Sequence, residues 1–83
     1  MHNILLCRSM SSAQRAARAL RAEGIFASVT KAPQRANPRG CTYAVKIGER
    51  HLARAMQILA LANIEIGKIF YDMPDGELRE VQV

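Results

Sequence analysis

IFASVTKAPQRANPRGCTYAVKI, residues 25–47, is the stretch that decides the fold. Alternate positions are apolar at both of its ends, 25, 27 and 29 and then 43, 45 and 47, and this period of two predicts two β-strands. Residues 33–40 between them contain two prolines, a glycine and two arginines, a composition typical of a loop. Because the connection is too short for a crossover, we expect the two strands to pair antiparallel.

The flanking segments predict one strand and one helix on each side of this pair. Residues 3–8 form an apolar run typical of a short buried strand, and a helical pattern follows over 11–24. A second helical pattern covers 48–63, and a fourth strand is predicted over 64–71. The order βαββαβ predicts an α+β, ferredoxin-like two-layer sandwich, with two helices on one face of an antiparallel sheet in the order 4-1-3-2.

Single residues indicate where these elements begin and end. Ser11 and Gln14 fit a capping box, with Ser11 as the N-cap of the first helix. Gly24 is expected to end that helix in the left-handed conformation, and Asn63 to cap the second helix. Gly67 is expected to mark a bulge in the fourth strand.

A chain of 83 residues has room for one domain, which we place at residues 1–71. The segment 72–83 is acidic and opens with the turn signal Pro74-Asp75-Gly76. We expect it to form a hairpin that adds a C-terminal edge strand, or else a frayed tail.

Composition and charge narrow the class of protein. No run of about 20 apolar residues and no signal-peptide pattern is present, so we expect no membrane span. Two cysteines are too few for a secreted disulfide scaffold, which favours a cytoplasmic protein with reduced thiols. Metal-ligand spacing and a glycine-rich phosphate loop are also absent, so neither a metal nor a cofactor is predicted. The net charge of +5 is concentrated in residues 8–54 and favours anionic partners, although a solvated basic face explains it equally.

Cys41 is the candidate reactive residue, at the Gly40-Cys41 end of the basic loop. Only the thiolate form of cysteine is a strong nucleophile, and Arg35 and Arg39 on the same loop favour that form. The simpler alternative is that Cys41 is a small apolar residue at the start of a strand.

The predicted topology brings three further residues to the same edge. Cys7 and Arg8 end strand one, which is expected to lie beside the start of strand three. Ser11 begins helix one, whose unpaired N–H groups carry partial positive charge. Such surroundings are expected to lower the pKa of the Cys41 thiol. Cys7 itself is either a core residue or a second, resolving thiol.

With these motifs in place, residues 4–71 resemble a family described as putative Se/S carrier protein-like, a domain of unknown function. The resemblance rests on the pattern S-x-A-x-R-A-x-x-x-L-x-x-x-G over residues 11–24, on Ile25-x-Ala27, and on Arg39-Gly40-Cys41-Thr42-Tyr43. It implies a small carrier protein rather than a stand-alone enzyme. In that role Cys41 would accept a chalcogen atom as a persulfide or perselenide, without a cofactor, from a protein donor such as a cysteine desulfurase-like enzyme.

Two other functions stay open from the residues alone. One is a small binding or adaptor module, possible as a homodimer, which uses an edge strand or the open sheet face. The other is RNA binding, common among basic βαββαβ domains, but strands one and three lack the aromatic pairs that stack on bases. The sequence therefore favours a protein partner over nucleic acid.

Overall fold

In the part of the chain that the structure describes, the sheet has five antiparallel strands, which stand in the order 2-3-1-4-5 when numbered along the chain. The computed structural model describes residues 2–32, 43–75 and 77–81. In chain order the elements are β1 (His2–Cys7), α1 (Met10–Ala22), β2 (Ala27–Lys31), β3 (Tyr43–Gly48), a 3-10 turn (Glu49–His51), α2 (Leu52–Leu61), β4 (Ile69–Asp72) and β5 (Leu78–Glu80). The predicted ferredoxin-like sandwich and its strand order 4-1-3-2 are confirmed, with β5 as the added edge strand.

A tight hairpin attaches β5 to β4. Asp75 Oδ1 accepts a hydrogen bond from the Glu77 N–H at 2.9 Å, and the Met73 N–H donates to the Glu77 carbonyl at 2.9 Å. Asp72 then pairs with Leu78 in register. The side chain of Asp75 thus fixes the local turn that lets the chain fold back.

Helix α1 begins earlier than the sequence predicts. Its N-cap is Ser9, with Oγ accepting from the Ser12 N–H at 3.1 Å, so the prediction of Ser11 as N-cap is wrong. The cause is the short link after β1. The Ala13 N–H already bonds to the Ser9 carbonyl at 3.0 Å, so Ser9 lies about one turn ahead of Ala13, the first residue of the apolar stripe. Ser11 is an exposed residue of the first turn.

Both helices end as predicted, in Schellman motifs. Gly24 has φ +83° and Asn63 has φ +57°, so each holds the left-handed position. The residues that follow them, Ile25 and Ile64, donate their N–H groups back to the carbonyls of Leu20 and Leu59 at 3.0 and 2.9 Å.

These motifs also explain why two strands begin later than expected. The N–H of Ile25 is used by the helix, so β2 starts at Ala27. Residues 64–68 form a connection before β4. Leu6 of β1 lies opposite this connection: it accepts a hydrogen bond from the Gly67 N–H at 2.8 Å and donates one to the Lys68 carbonyl at 3.0 Å. Gly67 and Lys68 therefore both face Leu6, as in the predicted bulge.

Apolar side chains are buried on both faces of the sheet. The helix-side core comprises the alternate strand residues Leu5, Cys7, Val45, Ile47 and Ile69, packed against Ala13, Ala16, Ala17, Leu20, Ala55 and Leu59. The opposite face buries a second cluster of Ile4, Leu6, Ala44 and Phe70. Ala32 and Leu78 pack against this second cluster.

Candidate functional site

Three elements meet at the end of the sheet where β1 finishes. Cys7, the last residue of β1, pairs in register with Tyr43, the first residue of β3. Helix α1 starts at Met10, so only two residues separate it from β1. This meeting of strand one, strand three and helix one is the arrangement that the sequence predicts.

The basic loop is anchored at the same end. Lys31, at the end of β2, pairs in register with Tyr43, and β3 carries Cys7 of β1 on its other side. The chain therefore leaves the sheet and re-enters it beside Cys7. The predicted site residues Arg35, Arg39, Gly40 and Cys41 lie outside the described residues.

Cys7 is a core residue, as expected. Its side chain is 1 % exposed and belongs to the helix-side core. The thiol donates a hydrogen bond to the Leu5 carbonyl, with 3.6 Å between sulfur and oxygen. Cys7 thus lies in the apolar core, with its thiol hydrogen-bonded to the backbone.

Arg8 and Ser11 are both exposed at this edge. The Arg8 guanidinium lies 4.0 Å from the Glu65 carboxylate, and both side chains are more than four-fifths exposed. A pair this exposed contributes at most about 1 kcal/mol to stability, so Arg8 is available to other partners. In the first turn of α1, the Ser12 N–H donates its hydrogen bond to the side chain of Ser9 rather than to that of Ser11.

The opposite end of the sheet holds features that sequence reasoning missed. Tyr71 donates a short hydrogen bond to Glu49, and this bond, with burial and the glutamate charge, raises the pKa of Tyr71 above its usual value. A cavity lined by His2, Lys46 and Arg50 opens nearby. Its residues come from four separate segments, so only the antiparallel register of β1 and β3 predicts their proximity.

The described part of the chain offers neither a metal cluster nor a membrane-spanning helix. Within it, no three His, Cys, Asp or Glu side chains cluster closely enough to hold a metal ion. Neither helix there combines the length and apolarity that crossing a bilayer requires.

Comparison with known proteins identifies a family. No curated protein and no solved structure matches the chain. Residues 2–71 match the family described as "Putative Se/S carrier protein-like", and the matched range includes both helices and the first three strands. Since this range covers most of the sequence, the chain belongs to the Se/S carrier protein-like family.

Proposed function

We propose that the protein carries sulfur or selenium on Cys41 and delivers it to a partner protein. The observation that carries this proposal is membership of a family named for such a carrier. The anchoring of the basic loop beside Cys7 and the start of α1 supports it, because that edge suits a reactive thiolate.

Chain geometry limits how far Cys41 is from this edge. Cys41 precedes Tyr43 by two residues, and two residues of extended chain span at most about 7 Å. Tyr43 in turn pairs directly with Cys7, and α1 begins three residues beyond Cys7. The first-turn N–H groups of α1 carry partial positive charge, and Arg35 and Arg39 supply full charges, so the thiolate of Cys41 is favoured.

The transfer that we propose needs no oxidant, because the donor already holds the atom as a persulfide. The Cys41 thiolate attacks the outer sulfur of a persulfide on the donor, an S–S bond forms on Cys41, and the donor thiolate leaves. A perselenide on the donor transfers selenium by the same exchange. Loading therefore needs no cofactor, and a reducing cytoplasm keeps Cys41 ready for the next cycle.

Cys7 fits the role of a resolving thiol in this scheme. Its attack on the inner sulfur of a loaded Cys41 would form a Cys7–Cys41 disulfide and release hydrogen sulfide, with all atoms balanced. The burial of Cys7 makes this route slow unless the edge opens. We therefore expect loaded protein to persist until a partner accepts the atom.

The adaptor and RNA alternatives receive less support. On the sheet face away from the helices, the described residues of β1 and β3 include Ile4, Leu6 and Ala44, which are buried, and Lys46. A base-stacking face would need exposed aromatic side chains at such positions. The same burial removes this apolar patch as a dimerisation surface.

Loading is tested by incubating the protein with a cysteine desulfurase and cysteine, followed by intact-mass measurement. Wild type and Cys7→Ser should gain one sulfur atom, and Cys41→Ser should gain none. A gain by Cys41→Ser would show that another residue accepts the atom and would refute Cys41 as the carrier residue. No gain by wild type with several sulfur and selenium donors would favour the adaptor function instead.

The role of the loop arginines has its own test. Arg35→Ala with Arg39→Ala should slow loading at low salt by about ten-fold, because both the thiolate and the encounter with an acidic donor depend on them. The difference should shrink as salt is added. The matched control is Arg15→Ala with Arg18→Ala, which removes the same charge from exposed positions of α1. Equal slowing by both double variants would refute a specific role for the loop.

A further inference from the structure

A second concave site lies at the far end of the sheet from Cys7, where β1 begins and β3 ends. It has a volume of about 370 Å³, within the range of small-molecule pockets. Six of its lining residues are His2, Phe26, Ser28, Lys46, Arg50 and His51. The length of β1, about 17 Å from His2 to Cys7, separates it from the edge proposed for Cys41.

The lining of this cavity is cationic. Ser28 and Lys46 face each other across β2 and β3, and Arg50 enters from the turn after β3. The Asp72 carboxylate lies 4.0 Å from Lys46 and offsets part of its charge. Glu49 accepts the hydrogen bond of Tyr71. Of the described residues that line the cavity, none is acidic.

Phe26 adds an apolar surface at the rim. Its ring is 80 % exposed, although the neighbouring Ile25 and Ala27 are buried. An exposed ring beside a cationic pocket can stack on a flat apolar group of a ligand.

We propose that this cavity binds a small phosphate ester with a flat ring, such as a nucleoside monophosphate. The phosphate would lie against Lys46 and Arg50, and the ring against Phe26. This site is independent of Cys41 and of the carrier function.

Binding is tested by titrating the ¹⁵N-labelled full-length protein with adenosine monophosphate and, separately, with inorganic phosphate, at low salt. Both should shift the amide signals of residues 48–51 saturably, and only the nucleotide should shift those around Phe26. Phe26→Ala should weaken nucleotide binding and leave phosphate binding unchanged. Absence of saturable shifts at 48–51 would overturn the site, and equal effects of both ligands at Phe26 would overturn the ring contact.

Charge variants separate a specific site from general attraction to a basic protein. Arg50→Gln should lower the affinity for both ligands by about ten-fold or more, as loss of a charge-assisted hydrogen bond does. The matched control is Arg54→Gln, one turn further along, where the guanidinium is 3.7 Å from Glu23 and does not line the cavity. Equal losses for the two variants would overturn the proposal.

A third variant is expected to strengthen binding. Asp72→Asn removes the carboxylate that lies near Lys46, so the lysine is more available to the phosphate. Affinity should rise by about two-fold or more at low salt. A fall in affinity, in protein whose circular dichroism is unchanged, would contradict the assigned position of the phosphate.

Discussion

Cys7 is buried in the helix-side core, with its thiol bonded to the Leu5 carbonyl. Cys41, on the basic loop, is expected to have a pKa below the ordinary value of about 8.5. Iodoacetamide should therefore alkylate Cys41 in Cys7→Ser at least about ten times faster than it alkylates Cys7 in Cys41→Ser. Rate profiles against pH measure both thiols. Equal rates, or a faster Cys7, would remove the basis for a reactive loop.

Tyr71 gives a second prediction at the scale of single residues. Its hydrogen bond to Glu49 stabilises the neutral phenol and raises its pKa above 10.0. The folded pKa exceeds the unfolded one, so this contribution to stability is complete below pH 10 and is lost as pH rises through the folded pKa. In a Tyr43→Phe background, which leaves Tyr71 as the single tyrosine, absorbance should show ionisation at lower pH after Glu49→Gln. An unchanged titration would contradict this bond.

Helix α1 carries a prediction at the scale of the element. Ser9→Ala should cost about 1 kcal/mol, because it removes the acceptor of the Ser12 N–H. Ser11→Ala, two residues further on and exposed, should change stability by less than about 0.5 kcal/mol. Urea denaturation measures both. A larger loss from Ser11→Ala would restore the capping box that the sequence suggests.

Substitutions of buried and exposed residues test which side of each helix packs against the sheet. Leu20 and Leu59 are 0 % and 1 % exposed, so changing either to Ala should cost about 2–5 kcal/mol. Arg18→Ala, on the exposed side of α1, should cost well under about 1 kcal/mol. Similar losses for Arg18 and Leu20 in urea melts would show that the facing is wrong.

Periodicity in the sequence was sufficient for the order and pairing of the elements, but not for the starts of α1, β2 and β4. The apolar alternation of strands and the stripe of α1 depend on neighbouring residues, which a sequence displays directly. The starts of β2 and β4 depend instead on N–H groups of Ile25 and Ile64 that return to the helices, which periodicity does not reveal. The sequence did not single out Ser9 as the N-cap, because Ser11 fits the capping pattern as well.

At the scale of the whole molecule, the fold separates the two proposed sites along one strand. Chain order alone placed the loop with Cys41 at the Cys7 end, because one short loop joins adjacent strands. The cavity at the His2 end could not be found in that way, since its residues are scattered from His2 to His51 and meet only in the folded sheet. The place where that loop joins the sheet was therefore predictable, and the cavity was not.

The central claim is that Cys41 holds a chalcogen atom that can be passed on. The most direct measurement loads the protein from a desulfurase, separates it from the donor, and adds cyanide, which removes outer sulfur or selenium from a persulfide or perselenide. Peptide mass spectrometry should place the added atom on Cys41, and cyanide should remove it with an equal amount of thiocyanate or selenocyanate. An adduct that maps to Cys7, or one that cyanide leaves in place, would contradict the account.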